Sequence, residues 1–178
     1  MSLNRRVLVF GNSGSGKSTL SKSLSEQEGL AHLDLDTLAW LPSIVDKAPP
    51  QRASLKESSK KLKAFTSEHE AWVIEGCYTD LLDLLSNQAT DIIFMNLDTA
   101  KCIENAKNRP WEPHKYESKT AQDKNLDMLI SWIEQYTTRD DVFSYQSHKS
   151  FYEGFAGNKI MYEVNTPVST APQKEPSL

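Results

Sequence analysis

The sequence predicts an α/β fold: a five-stranded parallel sheet covered by helices on both faces, in three α/β/α layers. Three observations carry that expectation. Short apolar runs alternate along the chain with longer stretches whose apolar residues recur at helical spacing, the pattern of repeated βα units. The first run, Val7-Leu8-Val9-Phe10, is unbroken, as in a strand buried on both faces; a half-exposed strand would alternate. With 178 residues, 38% of them hydrophobic, the chain suits one domain around one sizeable core.

Each element follows in order. Strands are expected at residues 6–10, 30–35, 71–75, 91–97 and 159–164, all rich in β-branched or long apolar side chains. Helices fill the gaps. Residues 17–28 follow a glycine loop, residues 51–69 carry the solvated lysine face of LKESSKKLK, and residues 78–85 make a short helix. Residues 99–108 are capped by Asp98 or Thr99, and residues 118–136 set Leu126, Leu129, Ile130 and Ile133 on one face. Two proline-bearing breaks, WLPSIVDKAPPQR and NRPWEPHKYES, fall where the substrate side of such a fold lies. The expected domain spans residues 1–165, with a mobile tail at 166–178 that holds three prolines and no aromatic residue.

Charge narrows the partners. Twenty-four acidic residues against twenty basic give a net charge of −4, so no overall positive field draws nucleic acid or an anionic membrane. Cys77 and Cys102 form neither a disulfide framework nor a paired zinc motif. No apolar run approaches membrane-spanning length, and the expectation is a cytoplasmic protein, monomeric or a small homo-oligomer.

The strongest motif lies between the first strand and the first helix. Gly11, Asn12, Ser13, Gly14, Ser15, Gly16, Lys17 and Ser18, followed by Thr19, match G-x-x-x-x-G-K-S/T in the strand-to-helix context that a Walker A phosphate loop needs. Its physics explains why three of only seven glycines sit beside the core. Backbone N–H groups of such a turn point inward, the next helix offers its positive end, and triphosphate binding offsets the ordering cost. Lys17 is placed to reach the β- and γ-phosphates of ATP, and the Ser18 hydroxyl to ligate Mg2+.

Acids end the next two strands. In HLDLDTLAW, strand alternation sets Asp34 and Asp36 on one face at the carboxyl end, where ligands of open parallel sheets bind. One carboxylate can hold magnesium through water and the other accept a hydroxyl proton; alternatively, Asp36 caps a helix starting at Thr37. In WVIEGCY, Glu75 precedes Gly76, which reads either as support for magnesium or as a carboxylate satisfied by neighbouring N–H groups. Tyr78 either contacts substrate or starts the next helix.

Arginines give a third constellation. Arg109 and Arg139 bracket the helix at 118–136, and a planar cation on a mobile segment can reach phosphate oxygens after substrate binds, which describes a lid over about 109–139. Arg109 also suits the negative end of its own helix, and Arg139 can simply pair with Asp140 or Asp141. The four histidines are scattered without ligand spacing.

Taken together, these motifs resemble the nucleoside-monophosphate-kinase-like P-loop kinases, including shikimate and adenylate kinases, over most of residues 5–165. The resemblance implies an ATP-dependent phosphotransferase acting on a small-molecule acceptor, with Asp34 meeting magnesium through water and Asp36 binding the acceptor hydroxyl. It implies that Arg109-Pro110 is the lid arginine–proline pair and that Arg139 is an acceptor-binding arginine. Lys17, Asp36 and Arg109 are the catalytic candidates, Asp36, Gly76, Tyr78 and Arg139 the substrate-binding ones, and Ser18, Asp34 and Glu75 serve the metal. The chain departs from both families at Glu75-Gly76-Cys77 and at RPWEPHKY, so the acceptor is not carried over. The GTPase motifs D-x-x-G and N-K-x-D are absent. The rival reading is a nucleotide-binding regulatory module that phosphorylates nothing.

Overall fold

The computed structural model describes residues 4–42 and 50–165; the expected tail at 166–178 and the middle of the first proline-bearing break lie outside them. In chain order the elements are β1 (Arg6–Gly11), α1 (Lys17–Glu28), β2 (Ala31–Asp34), α2 (Asp36–Ala39) and α3 (Leu55–Glu68). There follow β3 (Trp72–Glu75), α4 (Thr79–Asp83), β4 (Asp91–Met95) and α5 (Thr99–Lys107). The chain continues through α6 (Lys119–Lys124), α7 (Leu126–Glu134), a 3-10 turn at Gln135–Thr137, α8 (Tyr145–Gly154) and β5 (Asn158–Tyr162). All five strands are parallel, in the order β2-β3-β1-β4-β5. No helix among the described residues is long and apolar enough to cross a membrane.

The unbroken apolar run of β1 is explained by two cores. Leu8 and Phe10 face one layer with Trp72, Ile74, Ile92 and Phe94, packed by α2, α3, α4 and α8. Val7 and Val9 face the other with Val73, Ile93 and Met95, packed by Leu20 and Leu24 of α1, Cys102 and Ala106 of α5, and Ile133 of α7. Strand alternation therefore feeds both layers, which is why no polar residue interrupts the run.

Two helix expectations are corrected and one helix was missed. The helix expected from residue 51 begins at Leu55, because Ser54 and Glu57 close a reciprocal capping box. Residues before it are extended, with Arg52 bridged to Trp40. The helix expected over 118–136 is broken at Asn125, which ends α6 and precedes α7. Helix α8, capped by Ser144, was not expected: its sequence YQSHKSFYEG is largely polar and hides its buried face behind His148 and Phe151.

His148 is fully buried against Phe10 and Phe94. Its Nε2 lies 2.8 Å from the Cys77 carbonyl and its Nδ1 2.8 Å from the Tyr136 hydroxyl. A carbonyl only accepts, so Nε2 carries the proton and Nδ1 accepts from Tyr136. Burial pushes the pKa of His148 down to about 4 from 6.5. Below pH 6.5 the unfolded state therefore binds a proton that the folded state refuses, and stability falls as pH drops until both forms are protonated below about 4. The loss attributable to this group is about 3 kcal/mol across that window. In urea titrations between pH 7 and 4, the natural chain should lose that much more stability than His148→Gln; parallel profiles would show that His148 is not buried neutral.

Candidate active site

The phosphate loop leaves β1 at Gly11 and enters α1 at Lys17. Gly16 caps α1 at φ 89°, a left-handed conformation that a side chain disfavours. At Gly14 the constraint is space as well, since a Cβ would stand 2.4 Å from the Cys102 carbonyl oxygen of α5. Two amides from elsewhere brace the turn: Asn105 Nδ2 donates to the Gly14 carbonyl at 2.8 Å, and Asn165 Nδ2 to the Ser15 carbonyl at 3.0 Å. Asn12 and Ser15 are buried, and the Asn12 carbonyl accepts from Lys17 Nζ at 2.7 Å. Helix α1 has no acidic residue in its first turn, so its positive end stays available to an anion.

Ser13, Gly14, Gly16, Lys17, Ser18 and Thr19 open onto a cavity of about 580 Å³. Asp34, Asp36, Glu75 and Gly76 form an acidic wall of it, and residues 109–116 of the expected lid line it as well. Parallel register builds this wall, because Asp34 pairs with Glu75 and Glu75 with Val9 at the carboxyl edge of the sheet. Gly76 admits the turn, since a Cβ there would lie 2.8 Å from that of Leu35.

Every acid in the wall has defined partners. Glu75 is buried, with Oε2 accepting from the Ser18 hydroxyl at 2.9 Å and Oε1 lying 2.9 Å from His32 Nε2. The Ser18 proton is thus turned to Glu75, which leaves the oxygen's lone pairs for a cation. Asp34 Oδ1 accepts the Asp36 backbone N–H at 2.9 Å. Asp36 Oδ1 accepts the Tyr78 hydroxyl, whose own oxygen accepts from Trp40 Nε1 at 2.8 Å. Asp36 is therefore not a capping residue: α2 has no side-chain cap, and the carboxylate nearest its first turn that accepts a backbone N–H is Asp34.

Lys115 closes the set. Its Nζ lies 3.1 Å from Asp36 Oδ2, 3.6 Å from Asp34 Oδ2 and 3.6 Å from Glu112 Oε1. Arg109 Nη1 holds the other Glu112 oxygen at 3.1 Å. Burial and the charge of Asp36 raise the pKa of Asp34. Burial also pushes Asp36 upward, but Lys115 and the Tyr78 hydroxyl outweigh it and hold Asp36 below the usual carboxylate range. Burial disfavours the Lys115 ammonium, and the Asp36 and Asp34 charges overcome that and raise its pKa. Burial pushes the Cys77 thiol up to about 12, so it stays protonated.

Two candidates stand elsewhere. Tyr78 is buried beneath the Arg52 guanidinium, with its hydroxyl committed to Asp36, so it supports the wall from behind. Arg139 is not among the residues lining the cavity: its guanidinium stacks 3.4 Å from the Trp132 ring centroid and its Nε lies 3.4 Å from Asp141. The Asp141 partner anticipated as the alternative is the one the fold provides, and the aromatic platform fixes it there. Lys115, Glu112 and His32 were missed. The first two were visible as an i,i+3 charge pair in WEPHKY, whereas the contact of His32 with Glu75 depends on β2 lying beside β3, which one sequence does not reveal.

The residues present fit a magnesium nucleotide: a glycine cradle with a free helix end, a hydroxyl with its lone pairs free, and carboxylates one layer behind. No group of three His, Cys, Asp or Glu side chains among the described residues forms a cage for a metal.

Comparison with known proteins gives a matching family, a relative and similar solved structures. The AAA domain family model matches residues 7–127. The uncharacterized protein YqaC of Bacillus subtilis (strain 168) is 25% identical over 140 residues, which is 75% of this chain and 74% of that one. A gluconokinase from Sinorhizobium meliloti 1021 superposes with a TM-score of 0.53 at 18% identity, covering 95% of this chain and 87% of its own. A sugar kinase from Janibacter sp. HTCC2649 follows at 0.52 and 13%, covering 93% and 88%. The matched span runs from the first core strand through the phosphate loop, the acidic wall and the second proline-bearing break into α7, and the chain belongs to the AAA domain family, with the fold of the nucleoside-monophosphate-kinase-like P-loop kinases.

Proposed function

We propose that the protein is an ATP-dependent kinase that transfers the γ-phosphoryl group to a hydroxyl or phosphate of a small-molecule acceptor. One observation carries the reading: Lys17 and Ser18 of the phosphate loop share a single cavity with Asp34, Asp36 and Glu75, beneath a segment that bears Arg109 and Lys115. A pure nucleotide binder has no use for a pair of oriented carboxylates, Asp34 and Asp36, in the same cavity as the phosphate loop. The fold likeness to a gluconokinase and a sugar kinase favours a hydroxylated acceptor.

In this reading the loop amides, the α1 N-terminus and Lys17 hold the β- and γ-phosphates. Mg2+, when bound, supplies charge neutralisation across phosphate oxygens; Ser18 would ligate it directly, with Glu75 orienting that hydroxyl and Asp34 acting through water. Asp36 receives the acceptor hydroxyl. Held below the ordinary carboxylate range, it is a weak base and a good hydrogen-bond acceptor, so it serves mainly to orient the nucleophile. Phosphoryl transfer asks little more of the protein than positioning and charge stabilisation. Arg109, paired with Glu112 at the cavity mouth, supplies cationic charge when the segment closes.

ATP consumption measured with magnesium across a panel of sugars, sugar acids, other hydroxylated acids, nucleosides and nucleoside monophosphates tests the reading. Turnover on one class and its loss in Lys17→Ala are expected; tight ATP binding without turnover on any class would favour the regulatory module. Asp36→Asn should lower kcat by roughly 100-fold with ATP affinity nearly constant, measured by steady-state kinetics and calorimetry. Arg139→Ala should leave the acceptor KM unchanged and lower the melting temperature, since its side chain is engaged with Trp132 and Asp141. A raised KM at constant stability would return Arg139 to the acceptor.

A further inference from the structure

The four oxygens of Asp34 and Asp36 divide into two kinds. Both Oδ1 atoms are committed to the scaffold, one to a backbone N–H and the other to Tyr78. Both Oδ2 atoms meet a single group, the Lys115 ammonium, which comes from the lid segment rather than from the sheet. In the reading above these same Oδ2 atoms are the ones free to receive metal-bound water and the acceptor hydroxyl. An ammonium donates where a hydrated cation would donate, so the two compete for the same lone pairs.

We propose that Lys115 is a built-in stand-in for the divalent cation. It occupies the Asp34 and Asp36 carboxylates in the nucleotide-free protein, tethers the lid segment across the cavity, and is displaced when the metal arrives. The charge count supports exchange rather than coexistence. Asp34, Asp36 and Glu112 carry three negative charges and Lys115 and Arg109 two positive ones, so the cluster is short of one positive charge in the tethered state. Glu112 lies on the same segment, three residues from Lys115, and gives the released ammonium a carboxylate that travels with it. The lid is thereby coupled to metal loading: with the Asp34 Oδ2 taken by metal-bound water and the Asp36 Oδ2 released for the acceptor hydroxyl, the segment is freed to rearrange over nucleotide and acceptor. This inference rests on the kinase reading for the roles of Asp34 and Asp36, but its test does not depend on turnover.

The test is Mn2+ binding to nucleotide-free protein, followed by the electron paramagnetic resonance signal of the free ion. Removing a positive charge this close to the carboxylates should tighten binding at least about 10-fold in Lys115→Met, while Lys115→Arg stays near the natural chain. Lys115→Gln carries the comparison if the methionine variant lacks a cooperative melting transition. In the natural chain, Mn2+ alone should also speed amide exchange over residues 112–116 as the tether breaks. Unchanged Mn2+ affinity in the neutral variants, or exchange that ignores the metal, overturns the proposal. Failure of the kinase reading shows separately, as absence of nucleotide binding or turnover in the same preparations.

Discussion

The site depends on one constraint: parallel register brings the carboxyl ends of β1, β2 and β3 to the same edge. Val9 is opposite Glu75, and Glu75 opposite Asp34, so the phosphate loop and both acidic strand ends leave the sheet together. Antiparallel pairing of either neighbour would send its acid to the far end of the molecule. The helices that enforce parallel pairing by covering both faces also explain the buried β1, and the buried β1 gives the loop a rigid root. Function and core therefore share a cause, since the crevice at the strand ends exists only because the crossovers bury everything beneath it.

Within that frame, the electrostatics are arranged so that no carboxylate faces the cavity unpartnered. Glu75 is almost wholly buried and tolerates it by accepting from Ser18 and pairing with His32. Asp34 and Asp36 are adjacent like charges, and their pKa values are driven apart, up for Asp34 and down for Asp36. The difference comes from what each touches: Asp36 has Tyr78 as a donor and the shorter approach to Lys115. Two acids of the same type thus acquire different chemistry from their surroundings.

Sequence patterns revealed what local physics determines. The glycine–lysine–serine loop is a contiguous motif with one structural context, and Lys17 and Ser18 lie where that motif puts them. Asp34 and Asp36 were recognised as convergent, although the route differs: β2 ends at Asp34, and Leu35 turns in the αR region to begin α2, so a turn rather than strand alternation brings Asp36 round. What stayed hidden is long-range. Nothing near Arg139 announces that Trp132 will lie beneath its guanidinium, and the polar surface of α8 conceals a buried histidine. Lys115 was not singled out because the two carboxylates it meets on the sheet side lie about eighty residues upstream.

The two ends of the segment expected as a lid, residues 109–139, are held by different contacts, and that difference bears on what a ligand could move. At the far end, Ile133 is fully buried and its carbonyl accepts from Asn12 of the phosphate loop at 3.3 Å. Tyr136 reaches through His148 to the Cys77 carbonyl, and Arg139 stacks on Trp132. Apart from the Arg139 cation, which Trp132 and Asp141 hold in place, these are apolar or neutral contacts. At the near end Lys115 reaches across to Asp34 and Asp36, while Glu112 pairs within the segment with both Arg109 and Lys115. Ion pairs in a solvent-filled cleft exchange readily against incoming ions of the same sign, whereas packed side chains do not. In the proposed kinase, a triphosphate with its metal would act on the near end and leave the far end in place, so that residues 109–118 respond to the ligand while α7 remains part of the core.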